Sequence, residues 1–415
     1  MPGSFARLEG IAPLKHKEFR QYISFRIIYI MALRMVITVV NYKLFQLTKS
    51  SFAIGIVGLS EFLPVFSLAL YAGHVIDKSD KRTLLLKGVI CYCFCVAALV
   101  LISSPFIENK LEVRTLEYLF YAVIFCTGII RAFTGPTTHA IIAQLVPREQ
   151  LSYAANISSS SWLTASILGH ASAGFFIFWF GVNTTFCIIL GYVIIASLLL
   201  SRVKRKPVAI PAGTVGAWES VKEGLQYVFK NKILLGAISL DLFAVLFGGA
   251  TALIPEFTAV ILKVGPIGFG WLNAAIDIGS VITIVTLTLI PMRKNQGYKL
   301  LFAVAGFGIC IIIFGLSSIY AISFLALLIA GMLDGISVLV RGTILQLSTP
   351  DQMRGRVSAV NSMFINSSNE LGQFESGVMA RVMGAAPSVI FGGSMTLLVV
   401  ILTWLMAPKL RKFEY

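Results

Sequence analysis

Apolar residues run along this chain in stretches of about twenty, separated by short polar connections. Twenty residues at about 1.5 Å per residue span a hydrocarbon layer of roughly 30 Å. Backbone groups cannot stay unpaired in lipid, so each stretch is expected to be a helix. Twelve such spans can be placed. The first six cover residues 21–47, 52–76, 83–104, 116–145, 155–180 and 183–202. The last six cover 233–261, 269–291, 298–317, 320–347, 357–381 and 388–407. Between the sets lies the longest polar connection, 203–232. Within it Trp218, Val221, Leu225, Val228 and Phe229 recur at helical spacing. That pattern predicts an amphipathic helix on the membrane surface.

The two sets repeat one another at an offset of about 203 residues. Gly128 matches Gly331, Pro147 matches Pro350, Leu168-Gly169 matches Leu371-Gly372, and Gly174 matches Gly377. The fourth and fifth spans thereby overlie the tenth and eleventh, the sign of a duplicated bundle. The expected organisation is an N-terminal half, 1–202, a cytoplasmic linker, 203–232, and a C-terminal half, 233–415. The fold class is an all-α membrane protein of twelve transmembrane helices in two six-helix, pseudo-symmetric halves.

Composition agrees. Of 415 residues, 57% are hydrophobic and 13% charged, against about 25% charged in a soluble domain. The net charge of +15 is spread over alternate loops, which predicts orientation by the positive-inside rule. Lys15, Lys17 and Arg20, then Lys78, Lys81 and Arg82, then Arg202, Lys204, Arg205 and Lys206 head this set. Arg293 with Lys294, Arg354 with Arg356, and Lys409, Arg411 and Lys412 complete it. Both termini and the linker are therefore expected in the cytoplasm of a cell whose inner membrane holds the chain. Such dispersed charge argues against nucleic acid as a partner. The six cysteines all lie in spans and show neither metal nor disulfide spacing. Gly-Lys never occurs, so there is no Walker A loop for ATP, and no hydrolase or zinc-protease motif is present. No cofactor and no enzymatic activity are expected.

Three motifs resemble those of the major facilitator superfamily. Gly73-His74-Val75-Ile76-Asp77-Lys78-Ser79-Asp80-Lys81-Arg82 is similar to its loop 2–3 signature, with Asp80 in place of an inner glycine. Arg131-Ala132-Phe133-Thr134-Gly135 resembles its fourth-span signature. Gly169-His170-Ala171-Ser172-Ala173-Gly174 is a degraded form of its antiporter signature, with His170 for a proline. Phe62-Leu63-Pro64, Ile254-Pro255 and the run Thr349 to Val357 are most similar to the enterobactin-exporter and macrolide-efflux branch. The resemblance implies export of a small molecule by alternating access. It also implies a gate built from Gly73, Asp77, Lys81, Arg82, Arg354 and Arg356, with Asp77 near the start of the eleventh span.

Charges inside the spans are the candidate chemistry, because each costs at least roughly 2.5–3.5 kcal/mol at the bilayer centre. The first half's interior is positive: Arg26, Arg34 and Arg131 against Glu61. The second half's is negative: Asp241, Asp277, Asp334, Glu370 and Glu375 against Arg341. By the resemblance, Arg34, Arg131, Asp241, Asp334 and Arg341 lie on or near a substrate cavity. Acids outnumber their basic partners, and a surplus buried carboxylate is the kind of group that takes up a proton. Asp334, Glu370, Asp241 and Glu61 are therefore the proton-coupling candidates. Arg34 and Glu61 stand at one depth on adjacent spans and are able to pair. Structural ion pairing is the competing account of all these charges. His170 is either a titrating group or a buried hydrogen-bonded one. Gly169-x-x-x-Ala173 and Gly372-x-x-x-Ser376 read as small-residue faces for close packing.

The leading expectation is a proton-coupled exporter of a small amphiphilic molecule, siderophore- or drug-like, acting as a monomer. Its partners are membrane lipid, the small-molecule substrate and protons. A carrier of lysophospholipid or another lipid-like molecule, and a non-transporting membrane sensor, stay open as alternatives.

Overall fold

A computed structural model describes residues 11–206, 217–290, 292 and 294–414. Pro207 of the linker, Arg293 and the side chain of Trp218 lie outside the described residues. The described chain is helical nearly throughout, with no strand. The helices are α1 (Lys17–Thr48), α2 (Ser51–Lys78), α3 (Lys81–Ile102), α4 (Val113–Ala140), α5 (151–180) and α6 (182–201). They continue with α7 (Ala217–Lys230), α8 (Lys232–Phe247), α9 (Pro266–Leu289) and α10 (Gln296–Leu316). The last are α11 (Tyr320–Leu347), α12 (Asp351–Met383) and α13 (Ala385–Met406).

Ten helical stretches among the described residues are long and apolar enough to cross a membrane. One of them, from Arg148 to Ser201, is long enough to cross twice. It breaks at Gly181, whose φ of 78° is a conformation only glycine adopts without strain. α12 has the length of a span but not the apolarity, because it carries the run Asn366 to Glu375. Counting α5 and α6 separately and adding α12 gives the expected twelve. The polar α7 is the amphipathic helix read in the linker.

Two local departures from the expected spans have physical causes. The seventh span is not one helix. α8 stops at Gly248-Gly249, and the chain then makes a 3-10 turn at Ala250–Leu253, a short α turn at Ile254–Glu256 and a π turn at Phe257–Ile261. A glycine pair and a proline (Pro255) weaken regular hydrogen bonding there. The eleventh span begins at Asp351, six residues earlier than its apolar residues suggest, because Pro350 supplies a natural helix entrance.

The chain divides into two compact units. One comprises 1–40 and 63–214; the other comprises 41–62 and 215–415. In the first, α3 packs on α4 and on the α5–α6 run. In the second, α9 packs along α11, α10 along α11 and α13, and α8 against α12 and α13. Its apolar residues form two layers. One is built around Leu234, Ile238, Leu300, Ile344, Val357 and Leu410. The other is built around Leu253, Phe257, Phe269, Phe314 and Leu327.

In lipid, helices associate through close packing of small residues rather than through hydrophobic burial. Both units show it at equivalent places. A Cβ on Gly169 of α5 would lie 2.7 Å from the Met31 carbonyl of α1. A Cβ on Gly372 of α12 would lie 2.9 Å from the Leu246 and Val245 carbonyls of α8. These are the two small-residue faces read from the repeat.

Candidate functional site

Four charged groups of the second unit lie together: Asp241, Asp277 and Arg341 are each within electrostatic reach of Asp334. Arg341 of α11 forms an ion pair with Asp241 of α8, and both are nearly buried. Arg341 is held by its own helix, its Nε donating to Ser337 Oγ at 3.1 Å and to the Ser337 carbonyl at 3.3 Å. Asp334 lies one turn before Ser337 on the same face of α11, within electrostatic reach of Arg341, Asp241 and Asp277. Asp241, Asp334 and Ser337 also line one small space with Phe307 and Leu333. Its volume is about 10 Å³, which holds at most a single water. In this conformation the space admits at most a water, and an organic molecule does not fit between the two carboxylates.

Several expected residues lie elsewhere. Glu370 is buried on α12, and its carbonyl would be 2.7 Å from a Cβ on Gly58. Glu61 follows in the same 41–62 segment of this unit and is half-buried. Neither lines the space between Asp241 and Asp334. Arg34 and Arg131 belong to the first unit. The Arg34 guanidinium lies over the Trp162 ring, 4.8 Å from its centre, a cation–π contact. Arg131 is within electrostatic reach of the Tyr29 hydroxyl. Arg26, 3% exposed, donates to the Ser158 carbonyl at 3.4 Å. His170 Nδ1 is 2.7 Å from Thr38 Oγ1, whose hydroxyl is also 2.7 Å from the Arg34 carbonyl.

The gate candidates divide by what they touch. Asp77 is exposed at the end of α2, and no heavy atom lies within 4 Å of a Cβ built on Gly73. Lys81 Nζ reaches the Ile76 carbonyl at 3.5 Å. Arg82 caps the end of α6, donating to the Val203 carbonyl at 2.9 Å and to the Ser201 carbonyl at 2.5 Å. Arg354 is exposed, and Arg356 pairs with Glu223 of α7.

Two contributors were not singled out from the sequence. Ser337 orients Arg341; the spacing Asp334, Ser337, Arg341 (i, i+3, i+7) was the available signal, since it puts all three on one helix face. Asp80, read only as a departure from the signature, is the N-cap of α3. Its carboxylate accepts from the Arg82 N–H at 3.2 Å, the Thr83 hydroxyl at 2.5 Å and the Lys206 N–H at 3.3 Å. Burial pushes this carboxyl up, but those hydrogen bonds outweigh it and hold the group below its ordinary value. An Asp directly before a helix start was the signal.

Comparison with known proteins agrees with this fold. The family model of the Major Facilitator Superfamily matches residues 24–373. An uncharacterized MFS-type transporter, YfiS of Bacillus subtilis (strain 168), is 23% identical over 382 residues, covering 89% of this chain and 88% of the relative. The enterobactin exporter EntS of Shigella flexneri is 22% identical over 408 residues, covering 96% and 94%. Among solved structures, a D-xylose–proton symporter superposes with a TM-score of 0.75 at 12% identity, over 96% of this chain and all of that one. The nucleoside transporter NupG gives 0.73 at 12% identity, over 94% and 99%.

Proposed function

The chain belongs to the major facilitator superfamily of membrane transporters, and from that premise we propose that it exports a small amphiphilic molecule in exchange for protons. Alternating access is the mode of action. The cargo class, siderophore- or drug-like, is supported by the likeness to proteins named as enterobactin exporters. The observation that carries proton coupling is the cluster in the second unit. Asp241 is paired with the Arg341 guanidinium, Asp334 lies within electrostatic reach of the same guanidinium, and Asp277 adds negative charge nearby. A surplus negative charge inside a membrane is neutralised by a proton or a bound cation. Binding and release of that proton then favours one conformation over another, which is the thermodynamic requirement for coupling. Asp334 is the proposed proton carrier, Arg341 and Asp241 set its field, and Arg34, Arg131, Glu61 and Glu370 stand as secondary candidates. Asp77, Gly73, Lys81, Arg82, Arg354 and Arg356 are the proposed gate elements, and both termini are placed in the cytoplasm.

The test is flux into and out of liposomes holding the purified protein, with a panel of siderophores and drugs under an imposed pH gradient. Substrate-dependent proton movement is expected for the wild-type protein. Asp334→Asn should abolish that movement and uphill export while leaving downhill exchange. Asp77→Asn should slow all modes at matched protein level. Proton movement that persists undiminished in Asp334→Asn would overturn the assignment of the carrier. Absence of flux for every compound would favour the sensor reading.

A further inference from the structure

We propose that the second unit carries a headgroup site for an anionic phospholipid, at the corner where α7 meets α8 and the chain leaves α13. A cavity of about 450 Å³ opens there, lined by Tyr227, Lys230, Asn231, Lys232, Ile233 and Lys409. Three of its six lining residues are lysines, and none is acidic. Three lysines with no acid among the lining make the local field positive, which favours a bound anion.

The fold explains why they meet. Lys230 ends α7, Asn231 caps α8, and Lys232 is the first residue of α8. Lys409 lies three residues beyond the end of α13. The Asn231 and Tyr227 side chains are already engaged. Asn231 Oδ1 accepts from the Ile233 and Leu234 N–H groups at 3.1 and 3.3 Å. Its Nδ2 donates to the Ser348 carbonyl at 3.4 Å, and the Tyr227 hydroxyl donates to the same carbonyl at 2.8 Å. Those two residues fix the corner, and the lysines are left to face a ligand.

The position selects a lipid over a soluble anion. α8 and α13 are both membrane-spanning helices, so their shared end marks the edge of the apolar layer, where phosphate headgroups lie. Phe229, next to Lys230, is 61% exposed, as expected of a residue that dips into acyl chains. Trp404 of α13 stacks edge-on with Tyr298 of α10 and lies under the Arg411 guanidinium at 5.0 Å. Aromatic and basic residues together at a span's end are the mark of the interface. The phosphodiester oxygens accept from the lysines, and the acyl chains continue along the apolar helix faces. Because Tyr227 and Asn231 tie this corner to the end of α11, an occupied site steadies α7 on the unit.

The experiment is native mass spectrometry of the full-length, delipidated protein titrated with phosphatidylglycerol or with phosphatidylcholine of the same acyl chains. Wild-type protein is expected to retain phosphatidylglycerol preferentially. The variant K230Q/K232Q/K409Q should lose about a hundred-fold in apparent affinity for it, from the usual worth of three basic groups near anionic lipid. K230R/K232R/K409R should retain binding. A control that removes three exposed lysines elsewhere, K49Q/K87Q/K263Q, should leave it unchanged. Equal retention of the two lipids, equal loss in the two glutamine variants, or displacement of the lipid by millimolar inorganic phosphate would each overturn the proposal.

Discussion

Arg341 is committed to Asp241 by a direct ion pair, whereas Asp334 sits in the same field without sharing that contact. Neutralising the two kinds of residue should therefore give different results. Removing one partner of a buried pair leaves the other charge stranded and costs about 3–5 kcal/mol. Arg341→Met should lower folded yield and melting temperature sharply, and the double variant D241N/R341M should recover most of the loss. Thermal unfolding in detergent reads this directly; an unchanged melting temperature in Arg341→Met would show the pair to be dispensable. Asp80 offers a pH-dependent counterpart outside the membrane. Its carboxyl is held below its ordinary value in the folded protein. The stabilisation is thus fully present above the unfolded value of about 4 and is lost as pH falls through the lower folded value. Asp80→Asn should melt below the wild type at pH 7, and the two should converge as the pH is brought under 4. The gap should be small, because Asp80 is partly exposed and solvent screens it.

At the scale of elements, α9 and α11 cross very closely in the second unit. A Cβ on Gly331 would lie 2.0 Å from the Ile276 carbonyl, and one on Gly279 would lie 2.0 Å from the Leu328 carbonyl. Two helix backbones approach so closely only if both carry glycine there. Gly331→Ala must push them apart and should cost about 1–3 kcal/mol, as overpacking does. Gly342, eleven residues further along α11, has no heavy atom within 4 Å of where a Cβ would be. Gly342→Ala should be neutral or stabilising by up to about 1 kcal/mol, the helix propensity difference. Melting temperatures of the two variants side by side check the pair; equal effects would mean that the crossing does not limit stability. α12 shows the opposite strategy. Its polar run would be expelled from lipid if it stood alone. Glycines at 372 and 377 set it against α8 and against the 51–62 stretch, with Ser51 and Gly55 close to Gly377.

For the whole molecule, the membrane orientation is the property that links charge to function. In a background with the six native cysteines replaced, a cysteine at exposed Gln226 of α7 should be silent to an impermeant thiol reagent added outside intact cells. A cysteine at exposed Ser318, between α10 and α11, should be labelled. Labelling in the reverse pattern would invert the topology and, with it, the sense of export. The two units each contain a helix-on-helix glycine contact at the equivalent place of the repeat, Gly169 on α1 and Gly372 on α8. That equivalence is what a duplicated bundle predicts, and it lies within each unit separately.

Much of this was legible in the chain alone, and the reason is local. An apolar run of about twenty residues has no alternative to a helix in lipid, so the spans follow from hydropathy without knowledge of packing. The amphipathic helix at 217–230 and the repeat through Gly169 and Gly372 follow from periodicity in the same way. What a side chain meets across the bundle depends on how each helix is rotated about its axis and how closely two backbones approach. Neither quantity is carried by hydropathy, because polar residues in membrane helices are too sparse to mark a face. Tertiary structure alone therefore decided that Arg341 takes Asp241, and that Arg82 caps α6. It also decided that residues 41–62 group with the second unit, and that Lys409 joins Lys230 and Lys232 around one cavity.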